Sequence, residues 1–90
     1  MNLEKAIGGT VRRLRKKQRK TQAELAEDSC LDRTYLGSIE RGEKSITVRY
    51  LLYISKGLGI PLVDLIREIE HDGITKIQKT SDLLFKKDKT

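Results

Sequence analysis

Apolar residues recur along this chain at three- and four-residue intervals, the spacing that lines one side of an α-helix. Leu3, Ala6, Ile7, Val11 and Leu14 predict a first helix over about 3–19. Gly8-Gly9 interrupts the pattern, which favours a start near Thr10, itself a suitable N-cap. A second helix is expected at about 22–28, opened by Thr21 and Glu24. That spacing lets each side chain satisfy a free backbone N–H near the other, a capping box. Ala23, Leu25 and Ala26 supply its inward contacts. Ser29-Cys30-Leu31 breaks the pattern, and Asp32 can cap a third helix at about 33–41 that holds Leu36 and Ile39 inward and ends at Gly42.

Thr47 can cap a fourth helix, about 48–57, which stops at Gly57-Leu58-Gly59. Val48, Leu51, Leu52 and Ser55 form one stripe on it, and Tyr50, Tyr53 and Ile54 a second. A helix apolar on two sides must bury both. The second side is expected to meet the fifth helix, the tail or another subunit. Pro61 opens that fifth helix, about 61–70, where its missing N–H costs nothing, and Leu62, Leu65, Ile66 and Ile69 form the stripe. Beyond Asp72-Gly73, the tail carries Ile77, Leu83, Leu84 and Phe85 among lysines and fits either a sixth amphipathic helix or an arm. No segment alternates apolar and polar residues with turn signals at its ends, as a strand would. The expectation is an all-α chain with one domain over 1–72 and a tail over 73–90.

Composition narrows the chemistry. The hydrophobic fraction, 37% of 90 residues, supports one small helical core. Cys30 is the only cysteine and His71 the only histidine, too few for a structural zinc site or an internal disulfide. The same scarcity argues against thiol or Ser-His-Asp catalysis, and no glycine-rich phosphate loop is present. The expectation is therefore no enzyme, no metal, no cofactor and no small-molecule ligand. With no apolar run long enough to span a bilayer and no apolar leader after Met1, a cytoplasmic protein with no membrane partner is expected.

Charge is more telling. Of a net +6, residues 1–20 hold eight basic groups against Glu4, a net of +7, so the other 70 residues sum to −1. A basic block beside a near-neutral body points to a polyanion, and several members of the Arg12–Lys20 run are expected to meet phosphates.

Two short helices separated by a three- or four-residue break form a unit whose second helix can enter the DNA major groove. Residues 21–42 read this way. Ala26 is small enough for the place where the two helices cross. With Leu36 and Ile39 inward, Arg33, Thr34, Gly37 and Ser38 point outward, with Tyr35 beside them.

The segment resembles the Xre-type, phage-repressor-like helix-turn-helix family. Its opening Thr21-Gln22-x-x-Leu25-Ala26 and its close Ile39-Glu40-Arg41-Gly42 carry the likeness, which extends over about residues 10–70. Leu31-Asp32-Arg33-Thr34-Tyr35-Leu36 is most similar to the controller proteins of restriction-modification systems. The resemblance implies a five-helix DNA-binding domain. It implies base reading by Arg33, Thr34 and Ser38, and phosphate contacts from Gln22, Arg19, Tyr35, Arg41, Lys44 and Ser45. It further implies an ion pair between Arg15 and Glu40 that ties the first helix to the third. A dimer interface on the fifth helix and the outer side of the fourth would use Tyr50, Ile54, Leu62, Leu65, Ile66 and Ile69. The chain departs from the family at two turns, where Arg19 and Cys30 stand in place of the usual glycines and Lys20 replaces an apolar residue. Cys30 is expected to be a small buried turn residue.

One module this small covers few base pairs, so a homodimer on double-stranded DNA is the expected assembly, with half-sites about 34 Å apart. The implied function is transcriptional regulation at a pseudo-palindromic operator, in a restriction-modification controller. An antitoxin, a phage-type repressor and a protein-interaction adaptor on the same fold are the other readings.

Overall fold

The computed structural model of the protein describes residues 3–74. Five helices follow in order: α1 (Leu3–Lys17), α2 (Gln22–Asp28), α3 (Arg33–Glu40), α4 (Val48–Leu58) and α5 (Leu62–Ile69). A π turn over Glu70–Ile74 continues α5. The expected all-α, five-helix architecture is observed, with no strand among the described residues. The tail beyond 74, where a sixth helix or an arm was expected, lies outside the described residues.

Local signals set the helix boundaries. Thr21 and Glu24 form the expected capping box, with Thr21 Oγ1 accepting from the Glu24 N–H at 3.1 Å and Glu24 Oε1 accepting from the Thr21 N–H at 2.8 Å. Asp32 caps α3 by accepting from the Tyr35 N–H, and Thr47 caps α4 by accepting from the Tyr50 N–H. Gly42, just beyond α3, adopts a left-handed backbone at φ 73.

Three expectations give way. Gly8-Gly9 does not delay α1, which runs unbroken from Leu3. Packing outweighs the weak helix propensity of glycine there, because the Gly8 backbone lies directly against the carbonyls of Ile39 and Glu40 at the end of α3. Cys30 is exposed rather than buried. It holds a left-handed backbone at φ 56, and Arg19 does the same at φ 59, so both positions keep the glycine-like turn without a glycine. The two stripes on α4 are also redistributed: Leu51, Ile54, Ser55 and Leu58 turn inward, whereas Val48 and Leu52 face out.

The core gathers Ile7, Val11, Leu25, Ala26, Leu36, Ile39, Leu51, Ile54, Leu58, Leu65 and Ile69 from all five helices. α2 packs on α3 and α4, while α1 crosses behind α3 and meets α5 and the π turn. Arg13 fastens that last contact through Glu68 and Asp72, with Thr10 also donating to Asp72. Burying these apolar side chains supplies most of the folding free energy, and the arrangement leaves one side of α3 outside the core.

Candidate nucleic-acid interface

One buried leucine and one buried isoleucine hold α3 by its inner side, so its outer side is fixed as a platform. Leu36 and Ile39 are essentially inaccessible, while Arg33 and Thr34 in the first turn are exposed. Those two residues share a shallow cleft with Gln22, Gly37 and Arg41. A second cleft adjoins it, lined by Arg12, Arg15, Gln22, Glu40 and Arg41. The surface therefore runs from the outer side of α3, across the start of α2, to the middle of α1.

A buried ion pair sets the floor of this surface. Arg15 donates from Nε to Glu40 Oε2 at 2.7 Å and from Nη2 to Glu40 Oε1 at 2.9 Å. Its remaining nitrogen donates to the Lys20 carbonyl at 2.8 Å, which also fixes the turn between α1 and α2. The hydrogen bonds to Glu40 raise the guanidinium pKa more than burial lowers it, so the cation persists inside the fold. Glu40 Oε1 also accepts from Gln22 Nε2 at 3.0 Å. Gln22 is thereby held at the edge of the cleft. The expected α1–α3 tie is present, and it orients a second expected contact residue.

The other expected positions divide. Lys44 and Ser45 are exposed in the loop after α3, and Arg19 is exposed at the α1–α2 turn. Tyr35 is half-buried on the flank of α3, its ring edge-on to Tyr50 at 5.2 Å, with Tyr53 next in the row. Ser38 departs from its expected base-reading role. It is buried, and its hydroxyl donates to the Tyr35 carbonyl at 2.7 Å. Helical periodicity puts position 38 one turn beyond the exposed Thr34, so its burial comes from the bond to the Tyr35 carbonyl and the surrounding packing rather than from helix phase.

The basic run on α1 is not one surface either. Arg13 is engaged with Glu68 and Asp72, and Lys20 donates to the Gly57 carbonyl and to Asp28. Arg12, Lys16, Lys17 and Arg19 are exposed, and Arg12 lies in the cleft beside Arg41.

Two features complete the cleft: the first is placed on this side by the sequence, and the second has no signal there. Gly37 supplies the flat floor of the cleft, and Glu43 forms an ion pair with Arg41 across Gly42. The Arg41 hydrogen bond holds the Glu43 carboxyl below its ordinary pKa, with Lys44 and Lys5 adding smaller effects. A charge two positions away in a loop has no fixed geometry in sequence, so only the folded backbone reveals the pair.

The expected dimer residues also divide. Ile54, Leu65 and Ile69 lie inside the protomer core and offer no surface to a partner. Helical periodicity identifies an apolar side but cannot say whether the same chain or a second copy covers it. Tyr50 and Leu62 are half-buried, and Ile66 is 44% exposed. Val63 on α5 and Leu52 on α4 are also exposed, though neither was expected at an interface.

A short capped helix held on a second by a buried ion pair, with an exposed cationic outer side, defines a helix-turn-helix DNA-binding domain. The helix-turn-helix family pattern matches residues 11–65, and this chain belongs to that family, in its Xre-type branch. It is similar to control protein C.MunI from a Mycoplasma species, 42% identical over 62 residues that cover 63% of this chain and 84% of the relative. It is also similar to control protein C.SmaI of Serratia marcescens, 35% identical over 66 residues, 73% of this chain and 79% of the relative. Among solved structures, the controller protein C.Esp1396I bound to a 25-base-pair operator site superposes with a TM-score of 0.75 at 30% identity, covering 80% of this chain and 95% of that one. No described helix is long and apolar enough to cross a membrane.

Proposed function

We propose that this protein is a transcriptional regulator of the restriction-modification controller kind, which binds a two-fold symmetric operator as a homodimer. The observation that carries the reading is the exposed row of Arg33, Thr34 and Arg41 on a helix pinned from behind by Arg15–Glu40. The similarity to control proteins, and to one solved bound to an operator site, supports it. The protein acts in the cytoplasm, without catalysis and without a cofactor, and its activity is set by concentration and dimerisation. The exposed apolar residues Val63 and Ile66 on α5 are the surface such a dimer would cover.

Arg33 can hold guanine O6 and N7 through two parallel hydrogen bonds, and Thr34 can meet a thymine methyl. Lys44 and Ser45, exposed in the loop after α3, would contact phosphates and raise affinity without choosing a sequence. The adaptor reading fits less well, because a protein-binding α3 would expose apolar or acidic groups there, and Arg33 and Thr34 are neither.

The test compares two variants on duplexes of different sequence. Arg33→Ala relaxes discrimination at one base pair of each half-site, a loss of about 1–3 kcal/mol on the preferred duplex only. Lys44→Ala weakens binding to every duplex alike and lowers the salt slope by about 1 per chain bound. Two chains per specific duplex are expected by sedimentation. Equal losses on all sequences for Arg33→Ala, or a single bound chain, contradict the proposal.

A further inference from the structure

Arg41 was expected to contact a phosphate, and its surroundings argue for a different role. Its side chain is 57% exposed, yet its guanidinium does not run straight out from the end of α3. It folds back along the outer side of the helix, into the cleft shared with Arg33, Thr34 and Gln22. The absence of a side chain at Gly37 makes that path available: a Cβ there would stand 3.2 Å from Arg41 Nη1, closer than ordinary packing. Glu43 then fixes the group from its other edge. Arg41 donates from Nε to Glu43 Oε2 at 3.0 Å and from Nη2 to Glu43 Oε1 at 3.1 Å.

A carboxylate in this position is informative. Had Arg41 only to neutralise a phosphate, Glu43 would cancel the attraction and repel the DNA backbone. A guanine edge is uncharged and is read by geometry, so a carboxylate costs little there and supplies orientation. With the Nε side occupied, Nη1 and the second N–H of Nη2 form the parallel fork that matches guanine O6 and N7.

We propose that Arg41 is a second base-reading residue, selecting a guanine, and that Glu43 and Gly37 are its positioning residues. The inference rests on the DNA-binding reading above and deepens it. Each half-site then contains two arginine-read base pairs, one set by Arg33 at the start of α3 and one by Arg41 at its end. Because Glu43 is exposed, it orients Arg41 at some cost in general affinity for DNA.

The test selects binders from a random duplex pool at physiological salt with the full chain, its Arg41→Lys variant and its Glu43→Gln variant. The wild-type motif is expected to contain a G·C pair whose preference drops roughly tenfold or more in Arg41→Lys, since lysine keeps the charge but not the fork. Glu43→Gln is expected to bind a scrambled duplex more tightly while losing preference at that same pair, a split that a merely structural role would not produce. Thermal unfolding checks that both variants, altered only at exposed side chains, remain folded. An unchanged motif in Arg41→Lys would return Arg41 to a phosphate contact and overturn the proposal. Glu43→Gln binding all duplexes more tightly with its preference intact would make Glu43 a simple competitor and would equally overturn it. No motif for the wild-type chain would defeat the regulatory reading itself, an outcome distinct from either.

Discussion

Arg15→Ala is expected to destabilise the domain by about 3–5 kcal/mol, because it leaves the Glu40 carboxylate buried without its cation. The Glu40 side chain is only 2% exposed, and Gln22 would remain its one side-chain donor among the described hydrogen bonds. Small domains are stable by about 5–15 kcal/mol, so this single change removes a large share of the total. Urea unfolding followed by circular dichroism measures it. Arg15→Met combined with Glu40→Leu separates the cost of a lone charge from the value of the pair. Replacing both members by apolar groups of similar volume is often neutral or stabilising, so the double variant is expected to recover most of the loss. It should nonetheless bind DNA more weakly, because Gln22 loses the oxygen that holds it at the cleft. A double variant as unstable as the single one would mean that the pair itself, not charge burial, sustains the fold.

The second large effect distinguishes two adjacent glycines. Gly8→Ala is expected to destabilise the domain by about 1–3 kcal/mol, the usual range for overpacking. Its Cβ would collide with the Ile39 carbonyl oxygen and lie 2.7 Å from that of Glu40. Both are backbone atoms and cannot turn aside, so α1 must move away from α3 and carry Arg15 with it. Gly9→Ala is expected to do the opposite. A Cβ there meets nothing within 4 Å, and alanine in an exposed helix gains about 0.5–1 kcal/mol over glycine. Thermal unfolding of the two variants should therefore shift in opposite directions. Matching shifts would contradict the close α1–α3 approach.

These glycines also show where sequence reading ends. Taken as punctuation, Gly8-Gly9 marks a helix start. In the fold, Gly8 is a contact point between two helices, which only the packing of α1 on α3 reveals. Features fixed by local chemistry were legible: the Thr21–Glu24 box, the caps at Asp32 and Thr47, and the bounds of α2. The Arg15–Glu40 pair was legible through family resemblance, since nothing local joins residues 25 positions apart. Within the site, the exposure of Arg33 and Thr34 was legible from helical periodicity, whereas Ser38 shares that side by periodicity and is nonetheless buried, its hydroxyl bonded to the Tyr35 carbonyl. The expected dimer surface failed similarly at Ile54, Leu65 and Ile69, which the protomer itself buries. Arg13 and Lys20 belonged to the basic run by composition, yet partners distant in sequence claim both. Charge counts describe what a chain can attract. The tertiary ion pairs decide which cations remain to attract it.

The most direct test of sequence-specific DNA recognition is selection of the wild-type protein against a random duplex pool at physiological salt, followed by sequencing. The expected result is a two-fold symmetric motif with half-sites spaced by about one helical turn. Enrichment of no motif, with only salt-sensitive binding that ignores sequence, would contradict it and reassign the exposed side of α3 to another partner.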